Sequence, residues 1–146
     1  VPKELTSPFG VRRIINGIPK SPHLGIDLKA ELGEPVRASN RGKVLLCYEG
    51  YLIGKSIVID HGGGLYSVYF HLSEFVAKPG KMVKKGEVIG LAGATGSATG
   101  PHVHFGIKLN QNWVDPILLL ELSGELEKYN QVLAEKKQEA LELKKP

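Results

Sequence analysis

At 146 residues, 42% hydrophobic and 23% charged, the chain has the length and balance of one globular domain able to bury a core. A net charge of +4, without the Arg-interleaved stacking aromatics of single-strand binders, argues against nucleic acid and suits an anionic cell wall at least as well. Cys47 is the only cysteine, which rules out an internal disulfide and a cysteine-rich zinc cage, and no run of about 18 apolar residues exists to span a membrane.

The opening Val1-Pro2-Lys3-Glu4 has neither a starting Met nor an apolar signal core, and reads as a mature or trimmed product. Short apolar or alternating runs follow at residues 35–38, 42–49, 55–60, 65–72, 87–92 and 102–109, separated by glycine- and proline-bearing turns. That pattern predicts an all-β, largely antiparallel sandwich or split barrel. Cys47, inside the apolar run Val44-Leu-Leu-Cys-Tyr48, is expected to be a buried, inert thiol. From residue 117 the period changes. Leu122, Leu126, Tyr129 and Leu133 recur at helical spacing among Glu, Lys and Gln, ending near Lys145. A body at 1–120 is therefore expected to carry a C-terminal amphipathic α-helix at 121–146, suited to docking, linking or binding a partner. Ser123-Gly124 is the expected hinge or start of that helix.

Two glycine-rich stretches invite a functional reading. Residues 93–100, Gly-Ala-Thr-Gly-Ser-Ala-Thr-Gly, lack the Gly-Lys-Ser/Thr ending of a P-loop and do not fit Gly-x-Gly-x-x-Gly. His61-Gly-Gly-Gly64 resembles an esterase oxyanion loop, yet the chain holds no Gly-x-Ser-x-Gly nucleophile elbow. The second stretch is expected to be a hairpin turn that uses glycine for positive φ.

The chemistry lies in the histidines. On a strand through Pro101-His-Val-His-Phe-Gly106, His102 and His104 point to one face. His23 precedes Asp27 by four residues, about 13 Å along a straight strand, so the two converge only if the backbone bends, as Gly25 permits. His23, Asp27 and one of the His102/His104 pair would supply two nitrogens and a carboxylate oxygen. A fourth position then stays open for water, as in a catalytic zinc site. Such an ion would lower the pKa of its water to roughly 7 and polarise a carbonyl. The other histidine of the pair, with His71, would orient or deprotonate the water and stabilise an oxyanion.

Residues 7–116, about three-quarters of the chain, resemble a lysostaphin-type (LytM-type) zinc metallopeptidase. The match runs in order through Phe9-Gly-Val-Arg12, His23-Leu-Gly-Ile-Asp27, Gly33-Glu-Pro-Val-Arg-Ala38 and Val58-Ile-Asp-His-Gly-Gly-Gly64. It continues through Ser67-Val-Tyr-Phe-His-Leu72, Val83-Lys-Lys-Gly86 and Ile89-Gly-Leu-Ala-Gly93, and closes with Thr95-Gly-Ser-Ala-Thr-Gly-Pro-His-Val-His-Phe105 and Asp115-Pro116. The resemblance implies a duplicated hybrid-motif β-fold and one zinc ion held by His23, Asp27 and His104. It implies a catalytic pair in His71 and His102, either of which can be the formal base. It also implies hydrolysis of the peptide cross-links or bridges of bacterial peptidoglycan, and hence a periplasmic or extracellular address. His61 falls in the family's strand-end turn, and Tyr69 is expected to pack more than to support the site. Gly106 stands where the family commonly carries an acid, which bears on the local cleft wall and on substrate preference.

Two readings from other classes compete. Some LytM-type domains that have lost their ligands bind and activate other wall hydrolases, but here both metal motifs are intact. Val103-His-Phe-Gly-Ile107 also resembles the phosphohistidine segment of a glucose-type phosphotransferase carrier, which has no use for His23 and Asp27.

Overall fold

The computed structural model describes residues 4–142. In chain order the strands are β1 (Leu5–Ser7), β2 (Ile14–Ile15), β3 (Ile18–Pro19), β4 (Ile26–Lys29), β5 (Pro35–Arg37) and β6 (Gly42–Gly50). They continue with β7 (Gly54–Gly62), β8 (Leu65–Phe75), β9 (Met82–Val83), β10 (Val88–Ala92), β11 (His102–Leu109) and β12 (Asn112–Val114). One helix follows, α1 (Pro116–Glu142). The described chain divides after Pro116 into two compact units.

In the first unit, ten strands form one sheet in the order β1-β4-β11-β8-β7-β6-β9. β10 pairs with both β5 and β8, β12 pairs with β11, and every pairing is antiparallel. The small β2–β3 hairpin stands apart. The six runs expected as strands correspond to β5, β6, β7, β8, β10 and β11, so the largely antiparallel all-β reading holds. The alternation that marked them is the alternation of burial. Along β11, Val103, Phe105 and Ile107 are buried among the apolar core, while His102, His104 and Gly106 occupy the other face. Val44, Ile57, Ile59, Leu72 and Ile89 are fully buried beneath them, each worth about 1.5–3 kcal/mol of transfer free energy.

Gly62, Gly63 and Gly64 turn β7 into β8 with φ of 86°, 60° and 79°, a run that L side chains resist. The hairpin reading of that stretch is therefore correct. Cys47 is half-buried rather than buried; its Sγ lies 3.5 Å from the Ala77 carbonyl, and burial raises its thiol pKa, which leaves it inert.

α1 begins at Pro116, the last residue of the first unit, whose fixed φ suits a first helical turn. Ser123 and Gly124 are neither hinge nor start: they lie inside the helix. The Ser123 hydroxyl donates to the Leu120 carbonyl at 2.8 Å, which satisfies it within the helix, and the roughly 1 kcal/mol cost of one interior glycine does not break a 27-residue element. Leu118, Leu122 and Leu126 are exposed. No described helix is long and apolar enough to cross a membrane.

Candidate metal centre

β11 sits between β4 and β8, and its register sets the site. His104 pairs with Asp27 on one side and Phe70 on the other, so the three form a cross-strand row on one face. The Phe70 ring stacks on His104 with centroids 4.9 Å apart and planes 8° from parallel. His23 is not on β4 but in the loop before it. Its N–H donates to the Val11 carbonyl (3.0 Å), its carbonyl accepts from Gly10 N–H (2.8 Å), and its Nδ1–H donates to the Pro8 carbonyl (2.9 Å). These bonds bring the ring back over Asp27. Gly25 is needed for space: a Cβ there would lie 2.5 Å from the Phe105 carbonyl oxygen and 2.6 Å from His104 Nε2. The expected bend is thus real, and glycine serves it by close approach rather than by positive φ.

His23 Nε2, Asp27 Oδ1 and His104 Nδ1 lie 3.0 Å from one another. With His23 Nδ1–H committed to Pro8, its Nε2 presents a lone pair to the other two atoms. A proton on His104 Nδ1 can serve Asp27, yet it leaves that lone pair facing an acceptor. A cation among the three resolves the conflict. A four-coordinate ion with zinc's bond lengths of about 2.0–2.1 Å places its donors roughly 3.3 Å apart, so this triangle fits one with small adjustment. The side chains of these residues and of His102 are between 10% and 19% exposed. Burial alone would raise the Asp27 pKa, but its contact with His104 and the charges of His23, His104 and His102 outweigh burial and hold it at about 2. The carboxylate is ionised and ready to bind.

His71 and His102 lie beside this triangle. His71 on β8 has φ of +64°, unusual for a non-glycine residue, with its N–H donating to the Ile53 carbonyl at 3.0 Å. The break in alternation lets consecutive rings reach β11: Phe70 meets His104, and His71 meets His102 at 4.7 Å between centroids. His71 Nδ1–H donates to the Thr95 carbonyl (2.8 Å) and His102 Nδ1–H to the Gly100 carbonyl (2.9 Å). Each neutral ring therefore keeps its lone pair on Nε2. His102 Nε2 is 3.9 Å from Asp27 Oδ1. Burial lowers the His71 pKa below the usual histidine value, with His102 and His104 adding to the effect against the Thr95 bond and Asp27. All five residues singled out in the sequence come together.

Tyr69, opposite Phe105 on β11, belongs to the core. It is 3% exposed, packs on Phe105, and its hydroxyl donates to Ser39 Oγ while accepting from Ser39 N–H and Ser67 Oγ. His61 is structural as well, held between the Arg41 carbonyl and Ser67 Oγ at 2.7 Å each. The space an acid would need at Gly106 is taken, since a Cβ would lie 2.9 Å from Val68, 3.0 Å from the Trp113 ring and 3.2 Å from the Leu24 carbonyl. Sequence reasoning missed Arg13, whose guanidinium donates to Asp27 Oδ2 at 3.1 Å and to Ser7 Oγ at 3.0 Å. The arginine that belongs to the sequence motif is its neighbour, Arg12. It also missed Phe70 and Thr95, which no spacing distinguishes from ordinary strand and loop residues.

Residues 21–116 match the model of Peptidase family M23. The peptidoglycan DD-endopeptidase ShyB of Vibrio cholerae is 39% identical over 94 residues, covering 64% of this chain and 22% of ShyB. The chain thus spans about a fifth of that relative's length. A zinc-containing peptidase from Vibrio cholerae superposes with a TM-score of 0.73 at 36% identity, over 77% of this chain and 35% of that one. The catalytic domain of the antimicrobial peptidase lysostaphin from Staphylococcus simulans does so at 0.72 and 31%, over 82% of this chain and 92% of that one. A fold shared with lysostaphin, an ordered motif match over two-thirds of the chain and a donor triangle within the matched residues carry one conclusion: the chain belongs to Peptidase family M23.

Proposed function

We propose that this chain is a zinc-dependent endopeptidase that hydrolyses peptide cross-links or bridges of bacterial peptidoglycan. One zinc ion per chain would be held by His23, Asp27 and His104, with His71 and His102 as the catalytic pair. The observation that carries the reading is the 3.0 Å donor triangle beside two imidazoles that both direct Nε2 lone pairs away from backbone tethers. Zinc supplies Lewis-acid polarisation of a carbonyl and makes water acidic near neutral pH. The chain's own residues do the rest. His71 and His102 accept a proton at Nε2 and return it to the leaving amine. Phe70 covers one face of His104 and excludes water from it. Arg13 holds Asp27 Oδ2 and so leaves Oδ1 for the ion.

The name of the relative ShyB, a peptidoglycan DD-endopeptidase, supports a peptide cross-link as substrate and a periplasmic or extracellular place of action. Catalysis falls within the unit that ends at Pro116, and α1 carries none of the five residues. The test is release of new peptide ends from isolated peptidoglycan, with and without a zinc chelator. Loss of release on chelation and its return with added zinc are expected. Undiminished release by metal-stripped protein, or none by zinc-loaded protein, overturns the reading. Arg13→Ala is expected to weaken zinc binding about 10–100-fold in a chelator competition, as loss of an orienting partner does. Unchanged affinity would show that Asp27 needs no such support.

A further inference from the structure

The glycine-rich run at residues 93–100 fits no phosphate cradle, and its position explains its composition. Two of its carbonyls meet the two imidazoles outside the donor triangle: Thr95 accepts from His71 Nδ1–H at 2.8 Å and Gly100 from His102 Nδ1–H at 2.9 Å. A carbonyl can only accept, so each contact writes the tautomer of its ring. The Thr95 carbonyl is itself fixed through its side chain. Thr95 Oγ1 donates to the Leu72 carbonyl at 2.7 Å, one residue beyond His71, and accepts from Lys55 N–H at 2.9 Å on β7. Gly54 makes room for it, since a Cβ there would stand 2.2 Å from Thr95 Oγ1. Two residues on, Ser97 N–H and Oγ both donate to the Leu52 carbonyl at 3.0 Å, which ties the loop to the turn before β7. The glycines allow this close approach: a Cβ at Gly96 would lie 2.4 Å from Gly54 N.

We propose that Thr95 is a positioning residue for hydrolysis: its hydroxyl clamps the loop so that its carbonyl holds His71 in the Nδ1–H tautomer, with Nε2 kept as the proton acceptor. The proposal rests on the reading of His71 as a proton-transfer residue. Thr95→Val keeps the shape and removes both side-chain hydrogen bonds; Thr95→Ser keeps both.

The test uses the zinc-loaded chain with 15N-labelled histidine, reading each imidazole tautomer by long-range 1H–15N correlation alongside kcat, KM and zinc content. Wild type should show His71 as Nδ1–H alone. Thr95→Val should add an Nε2–H population at His71 and lower kcat about 10–100-fold, with KM and zinc content within about twofold, and Thr95→Ser should match wild type. An Nε2–H tautomer in wild type overturns the proposal, as does Thr95→Val with unchanged tautomer and kcat, or Thr95→Ser as impaired as Val. Should Thr95→Val not fold, the wild-type tautomer and the Ser variant still decide. A wild type that cleaves no peptidoglycan would sink the endopeptidase reading, while the tautomers would still judge the clamp.

Discussion

His104→Ala is expected to lose zinc and hydrolysis together. His104 Nδ1 lies 3.0 Å from both other donors, so its removal leaves two ligands and no closed triangle. The ring also fills the middle of the cross-strand row, between Asp27 and the stacked Phe70. Metal polarisation contributes several kcal/mol of transition-state stabilisation, and each 1.36 kcal/mol is tenfold, so a fall of at least about 10³-fold follows. Folding should survive, at a cost of about 1–3 kcal/mol for a half-filled site on an otherwise intact strand. Circular dichroism and zinc content on the same sample separate the two effects. A folded His104→Ala chain with wild-type hydrolysis would contradict the donor assignment.

His71→Ala is expected to do the opposite with respect to metal: zinc stays, and kcat falls about 10²–10⁴-fold, the usual contribution of a positioned acid–base group. His71 touches none of the three donor atoms, its ring standing 4.7 Å from His102 and 6.5 Å from His104 between centroids. Its pH behaviour follows from burial. Burial disfavours the imidazolium, so the neutral, proton-accepting form persists to lower pH than in a free histidine. Activity should therefore fall as pH drops through a value below the ordinary 6.5, and in His71→Ala that acid limb should flatten. A variant that loses zinc, or that keeps the wild-type kcat, would remove His71 from the catalytic pair.

The sequence exposed most of this site because the strands obey a period of two. His102 and His104 on one face, with Val103 and Phe105 in the core, could be read without coordinates. Other features depend on departures from that period, and these were hidden. His71 sits at φ +64°, which turns it to the face of Phe70 while Tyr69 stays in the core opposite Phe105; strict alternation would have grouped Tyr69 with His71. His23 reaches Asp27 because it precedes β4 and is tethered to Pro8 and Val11, contacts some 12–15 residues away that no local spacing encodes. Arg13 rather than Arg12 meets Asp27, a choice set by the path of the chain into the β2–β3 hairpin. In the tail, helical period was legible, but the start was not: Pro116 opens the helix, and Ser123 and Gly124, common at helix ends, are carried through its interior.

The most direct test of the central claim is the zinc content of the purified chain, counted by native mass spectrometry before and after titration with zinc. The donor triangle predicts one zinc per chain in the wild type and none in His23→Ala, Asp27→Ala or His104→Ala, with His71→Ala still binding one. A wild-type chain that binds no zinc when it is supplied, or a His104→Ala chain that binds it as well as wild type, would contradict the account.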